Sequence, residues 1–169
     1  MNGFPYIPRL PFYRTDERRA AYLAEVKSWE GTPFRENQSV KGPRGGIDCC
    51  HFALAVSKAT GAAEPGLKLD VLPVEWVRHW HEHRAESRIL DFFRLPGIRE
   101  RLLRIERDET PEIGDFVAIK QEKSVHHLGL YCGHYVAHVT TGAGVVFTSV
   151  RVPEFRKMFA AFYRVYDRQ

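Results

Sequence analysis

Residues 45–61 read GGIDCCHFALAVSKATG. Two glycines, an aspartate and two adjacent cysteines run into an apolar stretch that stops at Gly61. Asp48 is a residue type that caps helix N-termini. Phe52, Ala55, Val56 and Ala59 recur at helical spacing, so a helix is predicted over residues 49–60, with those four side chains on its inner face. Both cysteines then fall in the first turn. Unpaired N–H groups and the helix dipole favour a thiolate there, and the thiolate is the nucleophilic form. The backbone N–H of such a cysteine is also placed to donate to an oxyanion. A free cysteine is most often a small buried apolar residue, so this helix alone leaves open whether a thiol works here, and which one.

Working upstream, Thr15 is a candidate N-cap with Asp16 and Glu17 in the following first turn. Tyr22, Val26 and Trp29 share one helical face, and Gly31 ends the segment. Residues 1–14, rich in proline and aromatics, predict an extended arm. Pro33, Gly42, Pro43, Gly45 and Gly46 mark 32–47 as a loop, in which Arg35, Glu36 and Asn37 are candidates for a substrate entrance.

Downstream, 62–72 reads as a second loop. Pro73 opens a helix carrying Trp76, Val77 and Trp80, and further helical pieces are predicted over 86–94 and 97–105. The pattern then changes to short β-rich runs: 116–119, 127–131, 135–139, 145–150 and 159–165. Helices followed by strands predict an α+β fold, a small antiparallel sheet with helices on one side. No repeat or low-complexity linker divides the 169 residues, so one domain over 1–169 is expected.

A nucleophilic cysteine needs a base. In the run 126–139, HHLGLYCGHYVAHV, strand alternation puts His127, Gly129 and Tyr131 on one face and His126, Leu128, Leu130 and Cys132 on the other. His138, on the next strand, is expected opposite His127, able to orient its ring. Gly129 is expected to leave room for another element, such as a helix end. Cys132, on the other face, reads as core.

The bulk composition is that of a soluble domain: 44% hydrophobic, 27% charged, net charge +4. Basic residues alternate with acidic ones, a solvated surface pattern, and no nucleic-acid motif is present. Three cysteines, two of them adjacent, do not make a disulfide framework. His79, His81 and His83 lie on a predicted helix without a third ligand of good spacing, so no metal and no cofactor are expected. His51 has no role in this reading. The N-terminal stretch contains neither a signal peptide nor a membrane span; a cytoplasmic, phage or otherwise exported location is expected.

Several pieces, in order, carry a resemblance: WEGTPF (Trp29–Phe34), GGIDCCHF (Gly45–Phe52), EIGDFVAI (Glu112–Ile119), HLGLY (His127–Tyr131) and YVAH (Tyr135–His138). With these the chain resembles the NlpC-type cysteine peptidases, a branch of the papain-like fold that cuts the peptide stems of bacterial cell walls. The resemblance implies Cys49 as nucleophile, following the aspartate directly. Cys50 and His51 then stand at the family's serine and glycine positions, with His127 as base and His138 as the third polar residue. Phe34 stands where the family often has a tyrosine, and Phe34 and Asp48 are implied at the substrate site. The implied activity is amide hydrolysis through a thioester on a peptidoglycan-derived peptide, with no nucleic-acid or membrane partner. Two alternatives stay open: an acyltransferase or amidase acting on a non-wall amide, and a non-enzymatic phage-assembly or structural member of the fold.

Overall fold

The computed structural model describes residues 9–69, 87–94 and 98–168. The predicted helix from Pro73, with Trp76, Val77, His79, Trp80, His81 and His83, lies outside the described residues, as do residues 1–8 of the arm.

The first helix, α1 (Asp16–Lys27), starts where Thr15 predicts: the Thr15 side chain accepts from the Arg18 N–H. Tyr22, Val26 and Trp29 are all buried. The loop that follows contains a small antiparallel pair, β1 (Ser39–Val40) and β2 (Gly46–Ile47), which the sequence pattern did not reveal. Helix α2 (Cys49–Ala59) is capped by Asp48, whose carboxylate accepts from the His51 N–H. Its buried stripe is Phe52, Ala53, Val56 and Ser57. The expected Ala55 is only half-buried and Ala59 is exposed, because the sheet meets the helix along the 52/53/56/57 edge. Helix α3 (Arg88–Phe93) falls within the predicted 86–94 piece.

The predicted helix over 97–105 is corrected. Residues 98–101 form a turn, and β3 (Leu102–Arg104) is a strand laddered to Val165, Arg164 and Tyr163. Local helix propensity yields there to pairing with an available edge and to the burial of Leu102.

The remaining strands are β4 (Phe116–Gln121), β5 (Ser124–Tyr131), β6 (Tyr135–Thr140), β7 (Gly144–Ser149) and β8 (Phe159–Val165), with a short helix α4 (Pro153–Arg156) before the last. They form one antiparallel sheet in the order β3-β8-β4-β5-β6-β7.

Strand alternation gives the sheet two faces. Leu128, Leu130, Ala137, Val139 and Val145 pack with Tyr22, Phe52, Val56, Ile89 and Phe93 in the helix-side core. On the other face Val117, Ile119 and Val136 pack against Phe155, Phe159 and Phe162, so α4 covers the side that α1–α3 leave. Buried Arg164 joins β8 to the segment before β4. Its Nε and Nη2 each donate to a different Asp115 carboxylate oxygen at 2.9 Å, and Nη1 pairs with Glu109. A second tie is the close approach of Gly144 to Thr32: a Cβ at 144 would lie 2.1 Å from the Thr32 carbonyl oxygen. The Val145 N–H donates to that same carbonyl, pinning the start of the 32–47 loop to β7.

Candidate active site

The loop before α2 is built against the helix start. Phe34 and Ile47 form a parallel bridge. The Arg35 N–H donates to the Ile47 carbonyl, and the Ile47 N–H donates to the Pro33 carbonyl. Asp48 closes this arrangement. Its Oδ1 takes the His51 N–H at 2.9 Å, and its Oδ2 takes the Asn37 N–H at 2.8 Å and lies 2.7 Å from His51 Nδ1. Asn37 sits at φ 55°, a left-handed conformation that asparagine tolerates better than most residues. Asp48 is therefore the joint between loop and helix, and His51, unexplained by the sequence, is one of its partners. Phe34 is half-buried and turns its ring onto the helix-side core.

The two cysteines diverge from this joint. Cys50 faces an apolar cavity of about 420 Å³, lined among the described residues by Leu54, Ile89, Phe93, Phe116 and Leu128. Cys49 interacts with His127 of β5. Strand β6 ladders with β5 only over Gly129–Tyr131, so the β5 segment holding His127 is not paired on that side, and the start of α2 meets it there.

The electrostatics separate the thiols further. Cys49 is held down to about 5. A hydrogen bond from the Cys50 thiol, at 4.0 Å between sulfurs, contributes most; burial opposes it, and the hydrogen bond and charge of His127 assist. Asp48 pushes the other way through its own charge. Cys50 is pushed well up, because it keeps its proton to donate to Cys49 and is itself buried. Cys132 is pushed up to about 12 by burial and packs against the helix-side core.

His127 Nε2 lies 3.0 Å from His138 Nδ1, and His138 Nε2 lies 2.8 Å from Thr148 Oγ1. The structure thus brings Cys49, His127 and His138 into one connected series and extends it to Thr148 on β7. The register differs from the expected one: His138 lies opposite Gly129, and His127 is opposite Ile119 of β4. The two histidines meet diagonally, with ring centroids 5.2 Å apart and planes at 75°. Phe155 of α4 stacks on the His138 ring, with centroids 4.9 Å apart and planes at 24°. His138 is 7% exposed, and burial, with the charge of His127 second, pushes it down to about 4. Gly129 does not admit a helix end. A Cβ there would lie 2.4 Å from Val136 Cγ1 and 3.3 Å from Ile119 Cδ1, so the neighbouring strands fill the space.

Thr148 and Phe155 escaped the sequence reading. Threonine is ordinary in a strand, and Phe155 belongs to a helix of four residues with no periodicity to detect.

No protein-family model matches the chain, and no curated protein matches it in sequence. Among solved structures, the P60 domain of an antigen from M. avium subspecies paratuberculosis is 14% identical, with a TM-score of 0.45 over 88% of this chain and 94% of that one. A protein from Staphylococcus aureus subsp. aureus Mu50, described as similar to lipoprotein, NLP/P60 family, is 15% identical, with a TM-score of 0.57 over 94% of this chain. The match takes in 44% of that protein, so the chain spans less than half its length. Among the described residues no helix is long and apolar enough to cross a membrane. The chain has the α+β, papain-like fold of the NLP/P60-family structure it matches.

Proposed function

We propose that this protein is a cysteine hydrolase that cleaves an amide bond in peptidoglycan stem peptides. The observation that carries the reading is the connected series Cys49–His127–His138, with the nucleophile candidate at a helix start and ionised at unusually low pH. A thiol buried for packing alone would be pushed up, as Cys132 is.

In this mechanism the Cys49 thiolate attacks the scissile carbonyl. Negative charge develops on the carbonyl oxygen, and the Cys49 backbone N–H, one of the N–H groups a helix start leaves without an internal partner, donates to it. The C–N bond then breaks, and His127 gives its proton to the leaving amine, leaving a thioester on Cys49. His127 next takes a proton from water as water attacks the thioester. The acid is released and the thiolate–imidazolium pair returns. His138 holds the His127 ring in place. The 33–37 loop, fixed by Asp48 and backed by Phe34, forms the wall beside Cys49. The substrate class follows from the motif resemblance: a stem peptide cut next to a D-amino acid or diaminopimelate.

The test is a pH series of iodoacetamide alkylation mapped by mass spectrometry on wild type and His127→Ala, followed by incubation with stem peptides. Expected are fast labelling of Cys49 near pH 6, inert Cys50 and Cys132, slower labelling in the variant, and peptide cleavage. Equal, slow labelling of all three thiols would put the structural reading first. Transfer to an added amine in place of hydrolysis would make the protein an acyltransferase.

A further inference from the structure

We infer that Thr148 is a positioning residue: its hydroxyl oxygen accepts from His138 in the Nε2–H tautomer and so makes available the form that lets His127 carry both ring protons while it faces the Cys49 thiolate. The inference deepens the hydrolase reading above and rests on it.

The ring nitrogens can be counted. His127 places Nε2 against His138 Nδ1 at 3.0 Å, which leaves Nδ1 as its nitrogen for Cys49. When the Cys49 proton has moved to His127, both His127 nitrogens carry hydrogen. The Nε2–H must then donate to His138, so His138 Nδ1 must be a bare acceptor. A neutral imidazole with a bare Nδ1 carries its one proton on Nε2. The group in front of that proton is Thr148 Oγ1, at 2.8 Å. A hydroxyl can accept there or donate to a bare nitrogen, so it is the His127 Nε2–H that selects the tautomer and Thr148 that satisfies it, whereas a side chain without oxygen would leave a buried N–H unpaired.

That unpaired N–H would drive His138 to the opposite tautomer. Its Nδ1–H would then donate to His127 Nε2, and His127 could take the Cys49 proton only by breaking this bond. The burial that keeps His138 neutral also keeps water from substituting freely: the residue is 7% exposed and lies under the Phe155 ring. The strands make the contact geometrically specific. Thr148 is opposite Val136 and His138 is opposite Val146, so Thr148 reaches the imidazole diagonally, as His138 reaches His127. Among the described residues, the titratable groups that act on Cys49 are Cys50, His127 and Asp48, and the one that acts on His138 is His127. Thr148 is uncharged, so its effect on Cys49 runs through the tautomer and not through direct charge.

The test uses the full chain as Thr148→Val and Thr148→Ser, with two readouts. In the first, the pH midpoint of Cys49 alkylation rises by about one unit in Thr148→Val, roughly a tenfold slower reaction near pH 6, and Thr148→Ser returns to the wild-type curve. In the second, long-range ¹H–¹⁵N spectra of wild type show His138 as the Nε2–H tautomer between about pH 5 and 8. A folded Thr148→Val with an unchanged midpoint overturns the inference, and so does an Nδ1–H tautomer in wild type. Should Thr148→Val not fold, the wild-type spectrum decides. If wild-type Cys49 has an ordinary thiol midpoint while His138 is the Nε2–H tautomer, the tautomer assignment stands and the hydrolase reading fails.

Discussion

His138 faces Gly129 across the β5–β6 ladder, yet its Nδ1 sits 3.0 Å from His127 Nε2, two residues away along β5. This diagonal contact links the histidines while leaving the β5 segment around His127 free of β6, which is where the start of α2 meets it. The same geometry sets the environment each histidine feels: His138 is enclosed between His127, Thr148 and Phe155, while His127 stands between His138 and Cys49.

Replacing Cys50 tests the thiol pair. Cys50→Ala removes the donor that contributes most to holding Cys49 down. The alkylation midpoint should rise from about 5. A rise of roughly one pH unit matches the loss of one hydrogen bond to a charged group. Cys50→Ser retains an O–H donor and should stay near wild type. Equal midpoints in all three proteins would mean that His127 alone holds the thiolate.

His138 makes stability depend on pH. In the unfolded chain it takes a proton near 6.5, and in the folded chain only near 4. Between these values the unfolded state binds more protons, so stability is full above about 6.5 and falls as pH drops toward 4. The loss reaches about 3 kcal/mol at most. Urea unfolding across this window should show the slope in wild type and a flatter one in His138→Gln. Parallel slopes would show that His138 is not buried neutral.

Asp48 carries the joint between loop and helix. Asp48→Ala loses the helix cap and the Asn37 N–H acceptor together, and should cost about 1–2 kcal/mol of stability. Asp48→Asn keeps an oxygen for the cap and should cost less. Because the Asp48 charge opposes ionisation of Cys49, the Asn variant should also label Cys49 at slightly lower pH. Denaturant midpoints and alkylation curves on the two variants check both signs.

Gly129 is required by crowding at the sheet surface. Gly129→Ala puts a methyl group 2.4 Å from Val136 Cγ1 and should cost about 1–3 kcal/mol, the usual range for overpacking. Adding Val136→Ala should recover part of that loss, giving a coupling that a double-mutant cycle reads directly. Strict additivity of the two substitutions would show that the space beside Gly129 is not filled by Val136.

What the sequence determined by itself is what short-range chemistry encodes. Thr15 and Asp48 announce their helices because a cap is a bond between neighbours in the chain. The β-runs around Phe116, Tyr135, Val145 and Phe159 are legible from side-chain type and turn spacing. The resemblance of the ordered motifs implied Cys49, His127 and His138 as the candidate site residues. The tertiary structure decided what depends on partners far along the chain. Leu102–Arg104 became a strand because the edge of β8 was there to pair with it. Alternation tells which face His127 and His138 share, but not which residues stand opposite, and the ladder placed them diagonally. Adjacent cysteines look alike in sequence; Cys50 turned to an apolar cavity and Cys49 to His127 because the helix start lies between them. Thr148 and Phe155 became part of the site by the folding of β7 and α4 over His138, a relationship between residues with no local signal linking them.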